Sequence, residues 1–520
     1  MQPPLTHSRG SHSFGFGWLV SHWLVSHWLG SHWLGSHWLG SRWRIACCVV
    51  CVLWAGTRAL GNPPNILFIY IDDLGWKDPS YMGSDFFETP HLDRLAHDGM
   101  IFTDAYSCAA NCAPSRACVM SGQTTPRHQI YNVGTRARGE SVHRRLKPIP
   151  GTNTLAPTIR TWAHQLQSVG YATAAIGKWH LSKDPTDFGF EFNVGGTHSG
   201  SAPRGHYPPH GRVPGLDDAP DDEYLTDRLS EEAIGFIGRH QDTPWAIYLS
   251  HFAVHTPLNA KRELVAKYRA KPAGQLHDHV TMATMIQAVD DGVGRIMDQL
   301  KAWGLARNTV VLFSSDNGGY GPATDMAPLK GYKGTYYEGG IRVPFFVNWP
   351  QVVSPAGRSA VPISGIDLYP TICEIAGVDC PETQPIDGVS LVPLLTGKTK
   401  DRKDRALYWH FPAYLESYQV FDEQRDPLFR SRPCSIIRYG RWKLHQYFED
   451  GGLELYDLDS DIGETRNLAD ELPDRSRELL AKLESWRQRV KAPIPTEPNP
   501  TYDAAAEAEA IAKQLEPVHQ

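Results

Sequence analysis

The chain has 520 residues, 41% of them apolar and 21% charged, with a formal net charge of −6. At ~100–200 residues per domain this is about two to four domains, and the composition excludes a wholly disordered or collagenous chain. An acidic balance with the two signs interspersed argues against a nucleic-acid binder and marks no tail as an electrostatic partner site.

Residues 1–60 differ from the remainder. They hold Arg9, Arg42, Arg44 and Arg58 but no Lys, Asp or Glu, so residues 61–520 carry a net charge of −10. A pentapeptide repeats from Ser21 to Gly40, SHWLV and then SHWLG three times. This period fits neither helix nor strand. His22, His27, His32 and His37 admit a metal-tract reading; composition favours a low-complexity extension or an early start codon. The sequence Arg42–Trp43–Arg44, the apolar run Ile45–Gly56 and the small residues around Ala59 read as a secretory signal cut near residue 59. That run is shorter than the ~20 residues of a membrane span, and no later stretch reaches that length. The mature protein is expected to be periplasmic or secreted, without a stable span. Cys373 and Cys380 are the nearest candidate disulfide, and no CxxC pair after the signal suggests structural zinc.

Apolar strands then alternate with helices. Strands are expected at Asn65–Ile71, Tyr171–Ile176, Trp245–Ser250, Thr309–Ser314 and Val343–Val347. Helices are expected at Pro90–Gly99, Leu155–Val169, Val280–Trp303 and around Asp367–Ala376. This alternation predicts an α/β fold, a mostly parallel sheet flanked by helices. Short strands at Leu407–His410, Ser435–Tyr439, Trp442–Tyr447 and Leu453–Asp457, then a helix from Pro473 to about Lys491, predict a smaller antiparallel sheet with a helix. The expected division is 1–60 extension and signal, 61–400 main domain, 401–498 smaller C-terminal subdomain, and 499–520 a flexible tail.

Polar residues gather just beyond the strand ends, where open α/β sheets bind ligands. NILFIYI runs into Asp72–Asp73, TVVLFSS into Asp316–Asn317, WAIYLS into His251 and His255, and YATAAI into Gly177–Lys178–Trp179–His180. One such coincidence reads as a helix cap or turn; four together read as one site. Asp72, Asp73, Asp316 and Asn317 offer only oxygen donors, which suits a hard cation, Ca²⁺ in preference to Mg²⁺. Cys112, in the turn Asn111–Cys112–Ala113–Pro114–Ser115–Arg116, reads by itself as a buried inert thiol or as a thiolate nucleophile.

Cys112-Ala-Pro114-Ser115-Arg116 resembles the C-x-P-S-R signature of sulfatases, whose Cys is oxidised to formylglycine. PNILFIYIDDLGW (64–76), GKWHL (177–181), HTP (255–257), SDNGG (315–319) and GYKGTYYEGGIRVP (331–344) resemble that family's other motifs, in order, across about 65–467. Asn111 before the Cys, and Gln123 after Ser121–Gly122, depart from the usual signature. The resemblance implies an alkaline-phosphatase-like fold and hydrolysis of sulfate esters. A hydrated formylglycine at position 112, itself among the metal ligands with Asp72, Asp73, Asp316 and Asn317, would attack sulfur. His180 would be the base that releases sulfate, His255 the acid at the leaving oxygen, and Arg116, Lys178 and Lys333 the charge-offsetting cations. A formylglycine-generating enzyme is the implied maturation partner. The segment 407–468 resembles the smaller domain of carbohydrate sulfatases, which implies a sulfated glycan, with a terminal galactose-type sugar as a refinement. His410, Tyr414, Arg430 and Arg432 are expected at the rim, and Lys330, Glu338 and Arg342 outside the chemistry. His251 is an open candidate for the pocket. The alternatives are a phosphate-ester hydrolase of the same superfamily and a non-catalytic glycan-binding homologue.

Overall fold

A computed structural model describes residues 63–515 apart from 135–136, 203, 211–212, 218–219, 403 and 419–424. The repeat and the signal read in residues 1–60 lie outside the described residues. No described helix is long and apolar enough to cross a membrane.

The main sheet has eight strands: β1 (Asn65–Ile71), β2 (Met100–Phe102), β3 (Ala172–Gly177), β4 (Phe192–Val194), β5 (Trp245–Ser250), β6 (Thr309–Ser315), β7 (Phe345–Asn348) and β8 (Gly357–Ser359). Their spatial order is β4-β3-β5-β1-β6-β7-β2-β8, and only β7 runs against its neighbours. Side chains alternate across β1. Ile66, Phe68 and Tyr70 face one core with Met120, Trp162 and Ile372; Leu67, Ile69 and Ile71 face the other with Leu229, Met282 and Ile296. A sheet buried on both faces is why these strands read as unbroken apolar runs.

A meander of four antiparallel strands follows: β9 (Ala406–Phe411), β10 (Cys434–Tyr439), β11 (Trp442–Tyr447) and β12 (Leu453–Asp457). One face packs Trp409 and Ile436 against Tyr106 and Ile341 of the main body. The other packs Ile437, Leu444 and Leu455 against Leu479, Leu483 and Trp486 of the helix Pro473–Val490.

Most predicted elements stand within two residues of their expected bounds, and three expectations change. The helix expected over Leu155–Val169 is confined to Trp162–Gln167. Pro157 disfavours helix before it, and Thr161 starts the helix with a capping box closed by His164. The segment expected as a flexible tail holds the helix Ala504–Leu515. Its buried Glu507 pairs with Arg432 at 2.7 Å and Arg145 at 3.1 Å, which docks the helix on the body. Arg432 also pairs with Asp426 and, at 2.8 Å, with Glu449. Cys373 and Cys380 are free thiols rather than a bridge. The structure adds to the predicted elements the helix Leu225–Arg239 and the short strands β2, β4 and β8.

Candidate active site

The register of the central strands assembles the site. Ile71 of β1 pairs with Ser315 of β6, Tyr70 with Ser250 of β5, and Gly177 of β3 with Ser250. The residues that follow, Asp72, Asp316, His251 and Lys178, therefore leave the sheet at one level. Gly177 sits at φ +98, where a Cβ would lie 1.9 Å from the Ser250 carbonyl oxygen, so only glycine lets β3 come this close. Asp73 and His180 hold left-handed backbone at φ 62 and 64. Such strain in non-glycine residues is typical of functional turns.

Cys112 is the first residue of the helix Cys112–Ser121, under the N-cap Asn111. The helix dipole favours negative charge at that end. One turn on, Arg116 is fully buried. Its Nε donates to Asp316 Oδ2 at 2.9 Å, and its terminal nitrogens reach the same carboxylate at 2.8 Å, the Lys178 carbonyl at 3.1 Å, the Tyr248 hydroxyl at 3.0 Å and the Ser250 hydroxyl. Lys178 Nζ donates to Asp72 Oδ2 at 2.5 Å, and Lys333 Nζ to Asp73 Oδ2 at 2.6 Å. Asn317 Nδ2 donates to Asp73 Oδ1 at 2.8 Å. His255 Nδ1 lies 2.6 Å from the Thr256 carbonyl oxygen, so Nδ1 carries the proton and Nε2 turns to Asp73 Oδ2 at 3.8 Å.

The electrostatics follow from burial and pairing. Burial and the neighbouring Asp316 push Asp72 well above the usual carboxylate range. Burial pushes Asp73 the same way, but Lys333, His255 and Lys178 outweigh it and hold Asp73 low. Burial, reinforced by Lys178 and Arg116, keeps His180 neutral; burial and Lys333 hold His255 at about 3. Burial raises the Cys112 thiol, against Lys178 and Lys333.

The donor set fits a hard divalent cation. Asp72 Oδ1 and Asn317 Oδ1 are buried without a hydrogen-bond partner among the described residues. Ligand atoms of Asp72, Cys112 and Asp316 lie within 4.8 Å of one another, as do those of Asp72, Asp73 and His255. Carboxylate and amide oxygens from four residues suit Ca²⁺ or Mg²⁺ better than zinc. With Asp72 ionised beside a metal, the three carboxylates Asp72, Asp73 and Asp316 would balance the three cations Arg116, Lys178 and Lys333, so a divalent ion would give the site the positive charge that draws an anion.

A buried ion network holds the Lys333 loop from behind. Lys443 Nζ lies 3.0 Å from Glu338 and 2.9 Å from Glu464, all three side chains fully buried. Glu464 Oε2 accepts from the Glu338 N–H at 2.5 Å, and Glu338 also binds Arg342 at 3.0 Å and the Tyr106 hydroxyl at 2.7 Å. Burial raises Glu464 to about 7, against Lys443.

All sequence-predicted site residues thus converge: Cys112, Arg116, Lys178, His255 and Lys333 with Asp72, Asp73, Asp316 and Asn317, and His180 within electrostatic reach of Lys178 and Arg116. Of the expected rim, only Arg430 is there, its guanidinium donating to the Lys333 carbonyl at 3.1 Å. His410 is buried between Ser435 and the Pro493 carbonyl, Tyr414 caps the Leu146 N–H, and Arg432 serves the tail. His251 is buried beside His206, Asp227 and Arg295, away from the carboxylates. Lys330 turns to the Glu464 carbonyl and the Tyr337 ring. Sequence reasoning missed Tyr248 and Ser250 behind Arg116, which are strand residues with no motif, and Tyr418, stacked at 4.0 Å on Arg430 and tilted against Tyr320 and Tyr332.

The family profile described as sulfatase matches residues 64–378. The chain belongs to the sulfatase family. A second profile, N-sulphoglucosamine sulphohydrolase C-terminal, matches residues 332–491. A sulfatase of Formosa agariphila is 33% identical over 509 residues, covering 83% of this chain and 90% of that protein. The human N-acetylgalactosamine-6-sulfatase is 30% identical, covering 67% and 69%. The crystal structure of Ps i-CgsB in complex with k-i-k-neocarrahexaose is similar with a TM-score of 0.68 and 28% identity, covering 88% and 98%. This sulfatase is accordingly a sulfuric ester hydrolase with the alkaline-phosphatase-like fold its motifs imply.

Proposed function

We propose that this sulfatase removes O-sulfate from a sulfated glycan, using Cys112 in its formylglycine form and one divalent ion, Ca²⁺ in preference to Mg²⁺. The observation that carries the reading is the meeting of Cys112, at a helix N-terminus, with three buried carboxylates, the buried cations Arg116 and Lys178, and the partly exposed Lys333. Asp72, Asp73, Asp316 and Asn317 would hold the ion, with position 112 beside them. When present, the hydrated aldehyde would supply the nucleophile and the ion would supply Lewis-acid polarisation beside it.

The other roles belong to side chains already placed. Lys178 and Lys333 offset charge on the sulfate oxygens, and Arg116 fixes Asp316 beneath them. His180, kept neutral by burial, is available to take the proton released at position 112 as sulfate leaves. His255 gives a proton to the leaving sugar oxygen from Nε2. The anionic sulfate beside it favours the protonated ring that burial and Lys333 disfavour in its absence. A glycan fits the open aromatic and cationic edge formed by Tyr418 and Arg430. One relative is an N-acetylgalactosamine-6-sulfatase, and one similar structure, Ps i-CgsB, holds a k-i-k-neocarrahexaose, which points the same way. Export, and maturation by a formylglycine-generating enzyme, belong to the same reading.

Mass spectrometry of the peptide containing Cys112, from protein made in its own host, tests it. Replacement of sulfur by oxygen with loss of two hydrogens, together with sulfate release from a glycan sulfate and none of phosphate from phosphate esters, supports the reading. An intact thiol in folded protein without turnover overturns it in favour of a glycan-binding homologue, and preferred phosphate release overturns it in favour of the phosphate-ester hydrolase.

A further inference from the structure

Three buried guanidiniums of this protein meet carboxylates: Arg116 holds Asp316, Arg438 holds Asp104, and Arg432 holds Glu449 and Glu507. Arg430, half-buried on the short strand Phe429–Ser431 beside the active site, forms no ion pair among the described residues. Glu416 is the carboxylate within its electrostatic reach, and that acid also answers Arg138 at 3.9 Å, so two cations share one negative charge. Burial pulls Arg430 below the usual guanidinium range. A cation that is partly desolvated and underpaired costs stability, and an anionic ligand is what would offset that cost.

The side chain is nonetheless held in one place. Nε donates to the Glu416 carbonyl at 2.8 Å and Nη1 to the Lys333 carbonyl at 3.1 Å, and the Tyr418 ring centre lies 4.0 Å from the guanidinium carbon. Gly334, at φ +93, gives it room: a Cβ there would come within 2.9 Å of Nη1. Nη2 makes no hydrogen bond among the described residues and is not sealed from solvent. The two Nη2 protons and the second Nη1 proton stay available, and they form the fork that reaches two oxygens of one oxyanion.

The same contacts bound its distance from the chemistry. Arg430 touches the main chain of Lys333, whose ammonium lies 2.6 Å from Asp73. The two cations are therefore separated by no more than one hydrogen bond and one lysine residue. The Tyr418 hydroxyl is within electrostatic reach of both Lys333 and Asp73. Arg430 pairs with none of Asp72, Asp73 and Asp316, so it stands next to the charges that would hold the scissile sulfate and outside them.

We propose that Arg430 determines specificity by binding a second oxyanion of the substrate, a sulfate or a carboxylate on the same sugar or its neighbour, so that the preferred glycan carries two anionic groups and loses only the one over Cys112. The proposal rests on the glycan reading above.

The test compares each protein with itself. kcat/KM is measured on a monosulfated galactose disaccharide, on the same disaccharide with a second sulfate, and on one with a uronate beside the sulfated sugar. The ratio of two-anion to one-anion values is then taken, which cancels any general loss from a disturbed Lys333 loop. The parent should prefer at least one two-anion substrate by about tenfold or more, chiefly through KM, as a charge-assisted pair predicts. Which one it prefers tells sulfate from carboxylate. Arg430→Gln should bring the ratio close to one. Arg430→Lys, which keeps the charge and loses the fork, should keep less than half of it. Arg138→Gln should leave it in place. A parent ratio near one for both substrates, a ratio that survives either Arg430 substitution in full, or an equal fall in Arg138→Gln, the mark of diffuse charge, overturns the proposal. Failure of the underlying reading looks different: none of the three disaccharides loses sulfate to the parent protein.

Discussion

Lys443→Met removes the one ammonium between Glu338 and Glu464. Glu338 keeps Arg342 and Tyr106, whereas Glu464 keeps only the Glu338 N–H and His445 at 3.3 Å. Burial and Lys443 hold His445 near 3, so it brings no positive charge at neutral pH. Glu338 loses its strongest charge partner at every pH, and the pH-dependent part of the loss falls on Glu464, which escapes by taking a proton. A carboxyl whose pKa is raised on folding binds a proton that the unfolded chain has lost. Stability then falls as pH rises toward the folded pKa, by ~1.4 kcal/mol per unit. In the parent protein that fall ends at about 7, the value at which Glu464 titrates beside Lys443. In the variant it continues. The variant should already be the less stable at pH 7, because Lys443 is the largest charge holding Glu338 ionised, and the gap should widen by up to ~3 kcal/mol two units higher. Equilibrium urea unfolding at the two pH values measures this from the shift in midpoint. Adding Glu464→Gln, which keeps an acceptor for the Glu338 N–H, should remove the extra alkaline loss. A penalty for Lys443→Met that is the same at both pH values, or one that Glu464→Gln does not relieve, refutes the electrostatic account of this network.

Removing divalent ions with a chelator should abolish turnover and lower the thermal midpoint, with Ca²⁺ restoring both more fully than Mg²⁺. Full turnover and an unchanged midpoint after chelation would show that Asp72, Asp73, Asp316 and Asn317 hold no ion. Burial keeps His128, His410 and His445 neutral down to about 3 in the folded state. Below about pH 6.5 the unfolded chain takes up protons that the folded chain refuses, so stability should drop by ~4 kcal/mol per pH unit from these three together. Urea midpoints that stay level between pH 6.5 and 5.5 would contradict this.

The layout of the candidate site was legible because its rule is local. A run such as NILFIYI announces a strand buried on both faces, and the polar residues after it must lie at the strand's carboxyl end, whatever the register. Asp72, Asp73, Lys178, His180, His255 and Asp316 all follow this rule. What supports them does not. Tyr248 and Ser250 meet Arg116 only because β5 lies beside β1 in one register, and Lys443 meets Glu338 across 105 residues of chain. The same distance in sequence explains the rim: His410 and Tyr414 have the residue types of a sugar site, but the strand pairing of β9 turns His410 into the body, and Leu146 and Glu449 hold Tyr414 there. Leu155–Val169 had a helical apolar period, and Pro157 with the Thr161 cap decided against most of it. The terminal segment has a weak apolar face, and a single buried Glu507 secures it in place of a core.

That clasp has a consequence for how the protein tolerates change. Arg432 is a three-way junction, joining Asp426 before one hairpin strand, Glu449 after β11, and Glu507 of the terminal helix. The arms are redundant with one another and the hub is not. Any one acid can be exchanged while two still moor the guanidinium, and Arg145 keeps a second line on Glu507. Exchange of Arg432 leaves three nearly buried carboxylates facing one another and removes the one tie shared by three segments remote in sequence, with Arg145 and Tyr502 still on Glu507 and Tyr414 on Glu449.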